Sequence, residues 1–359
     1  MTDMAEAGPL AANQGQVAAG IPTIPFGSKR IGPGLPVVVI AEIGINHEGD
    51  AETCARMINS AAEAKADAVK LQTIDADENY VRGTESHTLF SRFGLTREET
   101  ARAFTLAREL GMEAFTTAGD FTTFDWVDRL APAAHKISSG LLTNHPIIRH
   151  AAKTGRPLLM STGMAEAADV DAAVEAARAA AAIGLFQCTS LYPAPLDALN
   201  LASIGWLRNR HCVPVGFSDH SMGIEVAPLS VAAGACMIEK HFTLDSSRAG
   251  CDHQLSLEPR RFAEMVDLIR RAEIIVGVGE KRMTAAEREN AGRYRRIVVA
   301  RRDVATGELF DSHNIALKRP HPGVHGLAPH YYEHILGRTA RRSLKADDPV
   351  VADTVGGDL

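Results

Sequence analysis

The chain has 359 residues, 45% of them hydrophobic and 23% charged, an ordinary globular composition with length for one large domain and one small one. A formal net charge of −6 gives no general field for drawing in nucleic acid, and no run of roughly 18 apolar residues is present to span a membrane. Five cysteines, an odd number without a Cys-x-x-Cys pair, argue against a disulfide framework or a structural zinc site and fit a reducing cytosol.

The N-terminus, MTDMAEAGPLAANQGQVAAG, has no basic start followed by an apolar run, so it does not read as a secretory signal. Residues 1–30 read as a poorly ordered leader. Short apolar runs rich in Val, Ile and Leu then alternate with Ala-rich amphipathic stretches. The runs are 37–46, 66–73, 113–119, 135–140, 157–163, 183–190, 213–220 and 235–243, with helical spacing between them at, for example, 51–64 and 170–181. Eight strand–helix units in about 250 residues predict a closed (β/α)8 barrel over residues 31–283. An open doubly wound sheet is the rival, weakened by the lack of a G-x-G-x-x-G after the first run. Residues 284–296 are polar and predict a linker helix. Short apolar stretches split by turn signals over 297–355 predict a small β-rich domain.

In such a barrel the chemistry lies at the C-terminal ends of the strands. The runs close on AEIGINHEG (Glu42), VKLQT (Lys70, Gln72), HKISSG (Lys136, Ser139), MSTGM (Ser161), QCTSLYP (Ser190, Tyr192), GFSDHS (Ser218, Asp219, His220) and IEKHFT (Glu239, Lys240, His241). A charged group inside an apolar strand is costly unless paired or facing a cavity. Its recurrence at the same end of nearly every run favours a site over scattered salt bridges. Lys70 and Lys136, with Ser139, Ser161, Ser190 and Ser218, suit a phosphate with a carboxylate nearby. His220 and His241, from neighbouring strands, suit one divalent metal with open positions. Glu42 suits a general base or a sugar-hydroxyl ligand, with a structural partner for a lysine as the alternative. His313, His321, His325, His330 and His334 are irregularly spaced and read as solvated loop residues.

The ordered set AEIGINHEGD, AVKLQT, HKISSG, LLMSTGMA, QCTSLYPAPLDALNL, VGFSDHSMG, IEKHFTLD and GCDHQLSLEP resembles the sialic acid synthase family, whose members make N-acetylneuraminate, legionaminate and pseudaminate. The resemblance runs over residues 37–354. RRIVVARRDVATGELFDSHNIALKRP is similar to the antifreeze-like SAF domain that ends these enzymes. The resemblance implies a TIM barrel followed by a SAF domain, and the cysteine usage places the chain in the cytoplasm. The implied reaction condenses phosphoenolpyruvate with the open-chain aldehyde of an N-acetylated amino sugar, N-acetylmannosamine or a 2,4-diacetamido-trideoxyhexose. Water is consumed, and a nonulosonic acid and phosphate result by C–O cleavage. By resemblance, phosphoenolpyruvate is held by Lys70, Lys136, Ser139, Ser161, Ser190 and Ser218. Manganese or magnesium is held by His220 and His241. Gln72, Tyr192 and Asp252 lie near the sugar, and Arg319 reaches into the partner subunit of a domain-swapped homodimer. Glu42, Lys136, His220 and His241 are the expected catalytic set.

The chain departs from the family pattern at Leu141, where many relatives have a glutamate, at TTAGD closing the third run, and at the lengthened RPHPGVHGLAP after Lys318. Other readings are a phosphoenolpyruvate-dependent aldol synthase for an unusual sugar aldehyde, a Schiff-base aldolase using Lys136 or Lys240, and a silent sugar-phosphate-binding barrel.

Overall fold

A computed structural model describes residues 20–357 apart from Val278 and Glu280. The chain divides into two compact units at Gly279. The first opens with a hairpin, β1 (Ile24–Phe26) and β2 (Lys29–Ile31), and continues into eight parallel strands. These are β3 (Val38–Gly44), β4 (Ala68–Thr73), β5 (Glu113–Ala118), β6 (His135–Ile137), β7 (Leu158–Ser161), β8 (Ile183–Cys188), β9 (Val215–Asp219) and β10 (Met237–His241). They close in chain order, with β10 paired to β3. Each falls within one of the eight apolar runs, and helices connect them, so the predicted (β/α)8 barrel is the observed fold.

Strand alternation sorts the side chains into two layers. Val39, Ala41, Val69, Ala114, Leu158, Leu185, Phe217 and Ile238 face outward and join the helices in one apolar layer. The helix Ala51–Glu63, started by Asp50 accepting the Glu52 N–H, contributes Cys54, Met57, Ile58 and Ala61 to it. Val38, Ile40, Ala68, Phe115, Leu159, Phe186 and Met237 face inward and fill the lower barrel.

The hairpin completes that lower core and corrects the expected leader. Ile24, Phe26 and Ile31 are fully buried in it, with the Phe26 ring edge-on to Phe115 at 5.4 Å. Ser28 donates from backbone and hydroxyl to Glu113 at the start of β5. Room for Ile24 depends on Gly184, where a Cβ would lie 2.8 Å from both Ile24 Cδ1 and Leu159 Cδ2. Strands of three residues are too short to display a period, which is why IPFGSKRI passes for loop. Residues 1–19 of the expected leader lie outside the described residues.

The second unit carries a helix, Ala285–Tyr294, opened by a Thr284–Glu287 capping box. Beyond it β11 (Ile297–Ala300) pairs antiparallel with β12 (Ile315–Lys318), and isolated bridges such as Val304–Leu344 and Ala340–Val355 extend the β structure. Val298, Phe310, Ile315, Ile335, Val350 and Val355 form its core.

Candidate active site

Above the apolar floor the inward positions become polar. Glu42 follows Val38 and Ile40 on β3, Lys70 follows Ala68 on β4, and Glu239 and His241 follow Met237 on β10. The same alternation places Lys136, Ser161 and Ser218. The result is a buried ion-pair cluster. Lys70 Nζ lies 2.9 Å from Glu42 Oε2 and 3.7 Å from Glu239 Oε2, and Lys136 Nζ lies 3.1 Å from Glu239 Oε2. Gln72 donates to Glu42 Oε1 at 2.9 Å and Ser218 donates to Glu239 Oε1 at 2.9 Å. Lys136 also sits 5.0 Å over the Phe186 ring, the uppermost floor residue of β8.

The two carboxyls are driven apart. Burial raises Glu42 to about 7, since Lys70 only partly offsets it and Glu239 adds repulsion. Burial also works on Glu239, but the Lys136 and Lys70 cations outweigh it and hold that carboxyl at about 2. Burial lowers Lys136, and Glu239 does not fully compensate. Two carboxyls sharing cations, one poised near neutrality and one firmly ionised, have the electrostatics of an acid–base site.

Three serines border the same space. Ser161 Oγ and Ser190 Oγ are buried without a hydrogen-bond partner. Ser139 Oγ accepts the Gly163 N–H at 3.1 Å. Gly163 leaves a hollow between them, where a Cβ would strike Ser190 Oγ and lie 2.8 Å from Ser139 Oγ. Unspent hydroxyls beside two lysines and a glycine cradle suit a phosphate-sized anion.

The His220 and His241 rings are 5.4 Å apart. His220 Nδ1 is 2.8 Å from the Thr189 carbonyl, which only accepts, so Nδ1 carries a proton and Nε2 is the ligand atom once the ring is neutral. Burial, His220 and Lys70 hold the His241 imidazole well below its ordinary value and therefore neutral. Its buried Nδ1 has no hydrogen-bond partner and faces Asp252 Oδ2 at 3.6 Å. Two neutral-capable imidazoles with an orphaned ring nitrogen fit a divalent ion. Tyr192 stacks on His220 at 4.2 Å, and burial pushes its phenol up.

Of the thirteen residues that the sequence assigns to the phosphoenolpyruvate, metal, sugar and catalytic sites, eleven line one cavity of about 270 Å³: Glu42, Lys70, Gln72, Lys136, Ser139, Ser161, Ser190, Tyr192, Ser218, His220 and His241. Asp252 adjoins it through His241. Arg319 belongs to the second unit, its guanidinium 4.8 Å over the Tyr294 ring. Leu141 packs against the outer apolar layer. Lys240 points outward to a fully buried pair with Asp219 at 2.9 Å and to the Ser221 carbonyl, which removes it as a Schiff-base candidate. Sequence reading sets Glu239 beside the histidines without a role, yet it is the hub of the cluster. Its position two before His241 on β10, hence on the same face, is the signal that finds it. Cys188, 3.9 Å from His220 Nδ1, and Thr117, 3.3 Å from Lys70 Nζ, carry no comparable signal.

A closed parallel barrel with a buried charged cavity at the C-terminal strand ends defines an α/β-barrel enzyme architecture. Residues 57–281 match the NeuB family model and residues 295–356 the SAF domain model. The chain belongs to the NeuB family. It is 34% identical to the N,N'-diacetyllegionaminic acid synthase of Legionella pneumophila, over 89% of this chain and 95% of that one. It is 36% identical to an uncharacterized protein of Methanocaldococcus jannaschii, over 93% and 99%. The crystal structure of the N-acetylneuraminic acid synthetase of Leptospira borgpetersenii superposes with a TM-score of 0.73 at 32% identity, covering 75% of this chain and 95% of that one. Among the described residues no helix is long and apolar enough to cross a membrane.

Proposed function

We propose that the chain is a nonulosonate synthase, condensing phosphoenolpyruvate with the aldehyde of an N-acetylated amino sugar. The observation that carries this reading is the meeting, in one cavity, of Lys70, Lys136 and unpartnered serine hydroxyls with His220 and His241. The first set suits phosphate and carboxylate, the second a divalent ion, manganese or magnesium, bound by its two imidazoles.

Lys70 and Lys136, with Ser139, Ser161, Ser190 and Ser218, bind and orient the phosphoenolpyruvate. The methylene carbon of the enol ester then forms the new C–C bond to the aldehyde carbon. The aldehyde oxygen takes up a proton, water adds at the electron-poor enol carbon, and the C–O bond to phosphate breaks. His220 and His241 would hold a divalent ion, which when bound would supply Lewis-acid polarisation of the aldehyde. Glu42, with its carboxyl near 7 and its Oε1 held by Gln72, supplies the proton that the aldehyde oxygen takes up and then accepts the proton that the adding water releases. Lys70 and Lys136 carry the phosphate charge as it departs, in a site closed below by the apolar floor. Gln72, Tyr192 and Asp252 face the acceptor. By family resemblance Arg319 meets the acceptor in the partner subunit's barrel of a domain-swapped homodimer, and the enzyme works in the cytoplasm, where phosphoenolpyruvate is available.

Phosphate release from phosphoenolpyruvate is measured with manganese and a panel of N-acetylmannosamine, 2,4-diacetamido-trideoxyhexoses and mannose. Release with an acetamido aldehyde, with label from isotopic water entering the sugar acid and not the phosphate, is the expected result. No release with any aldehyde, or borohydride trapping of pyruvate on a lysine, sinks the proposal.

A further inference from the structure

We propose that Glu48, Cys251 and His253 form a second metal site, of zinc type, tying together the loops that follow the first and last barrel strands. A carboxylate oxygen, the thiol sulfur and an imidazole nitrogen from these three residues lie within 4.8 Å of one another. Glu48 follows β3, and Cys251 and His253 follow β10, the two strands whose pairing closes the barrel.

The imidazole can present a lone pair to a cation. Thr243 Oγ1 lies 3.3 Å from the Asp245 carbonyl and 2.7 Å from His253 Nδ1. The hydroxyl also accepts the Asp245 N–H at 3.2 Å, and its single proton can go to the carbonyl, in which case it receives the Nδ1 proton of His253. In that tautomer the Nε2 lone pair points at Glu48 Oε1, 3.3 Å away, with His253 fully enclosed. A cation between Nε2 and Oε1 selects this tautomer, whereas without one the ring turns an Nε2 proton to the carboxylate. The other oxygen of Glu48 is taken by Arg248, leaving Oε1 as the single donor.

Thiolate, imidazole and one carboxylate oxygen are a donor set for zinc or cobalt rather than for magnesium, and three protein ligands leave a fourth position for water. The set escapes the Cys-x-x-Cys criterion because its ligands come from two ends of the barrel sequence. Asp252 sits between two of the ligands. Its N–H bonds Asn46 Oδ1 at 3.0 Å, and its carboxylate faces His241. A bound ion therefore fixes the loop that presents Asp252 to the cavity. The metal site stands on its own geometry, and only this consequence rests on the proposed function.

The test uses the full chain with Cys188→Ser and His241→Ala, which remove the thiol beside His220 and one imidazole of the barrel cavity. After chelation it is titrated with cobalt(II). The expected result is a near-ultraviolet thiolate-to-cobalt charge-transfer band that saturates near one equivalent and is lost on adding Cys251→Ser. Absence of the band, or its survival in Cys251→Ser, overturns the site and leaves an ordinary imidazolium–carboxylate pair. Should Cys251→Ser fail to fold, alkylation of Cys251 in the parent protein decides. Protection by zinc supports the site, and alkylation indifferent to zinc overturns it. Neither readout needs turnover, so failure of the condensation assay leaves this test intact.

Discussion

Glu42 and Glu239 share Lys70, yet they titrate on opposite sides of their ordinary value. The folded protein holds the Glu42 proton more tightly than the unfolded chain does. Its contribution to stability is therefore fully present below pH 4.5 and lost as pH rises through about 7. Glu239 behaves inversely, its contribution present above 4.5 and lost as pH falls toward 2. Glu42→Gln removes the first linkage, together with the carboxylate charge that raises Lys70 and Lys136. In metal-free protein the stability difference between Glu42→Gln and wild type is expected to shift toward the variant by about 3 kcal/mol between pH 4.5 and pH 8, read from urea midpoints. A difference that stays flat across that range would place Glu42 among ordinarily ionised carboxylates. At the same scale, His241→Ala is expected to abolish metal-dependent phosphate release and lower bound metal at the barrel cavity, with circular dichroism unchanged. Normal turnover with normal metal content would end the assignment of that imidazole.

At the scale of elements, most barrel strands were legible as apolar runs ending on polar residues, as in AVKLQT and IEKHFT, and the three-residue β6 was legible only from its place in the strand–helix alternation. Alternation then predicts which polar residue faces in: Lys70 and Gln72 on β4, His241 on β10. What escaped was tertiary. The hub role of Glu239 exists only because β4, β6 and β10 converge on one axis, and the hairpin is recognisable only from the floor it fills. Leu141 is a further case. Its replacement of a glutamate was readable, whereas its packing into the helical layer was not, because that depends on the short turn Ser139–Leu141. The hairpin supplies its own prediction. Phe26→Ala opens a cavity in the barrel floor and is expected to cost about 3–5 kcal/mol of stability, seen as a lowered melting temperature. Under the proposed function KM for phosphoenolpyruvate is expected to stay near wild type, since Phe26 packs among the floor residues and not along the cavity. A large KM change with little loss of stability would show that the floor shapes the site directly.

At the scale of the molecule, a barrel unit and a β-rich unit each have their own apolar core. Arg319 is held in the second by its stack on Tyr294, so Arg319→Ala is expected to cost only about 0.5–1 kcal/mol of stability. Under the proposed function its effect falls on the acceptor. KM for the sugar is expected to rise while KM for phosphoenolpyruvate stays unchanged, measured in steady-state assays with each substrate varied in turn. Equal losses for both substrates would remove Arg319 from acceptor binding.

Closure of the barrel through β3 and β10 also sets a timetable for synthesis. Asn46, just past β3, bonds the Phe242 carbonyl 196 residues later. At about 5–20 residues per second, that interval lasts roughly 10–40 seconds on the ribosome. Glu42 and Lys70 are made early and can find each other at once, whereas Glu239, which completes the cluster, arrives last. A nascent chain thus spends that interval with an open sheet edge and an unfinished charged pocket, the stage at which a chaperone has most to shield. A message truncated before the codons of β10 yields a product lacking both the closing strand and the carboxylate its two lysines share.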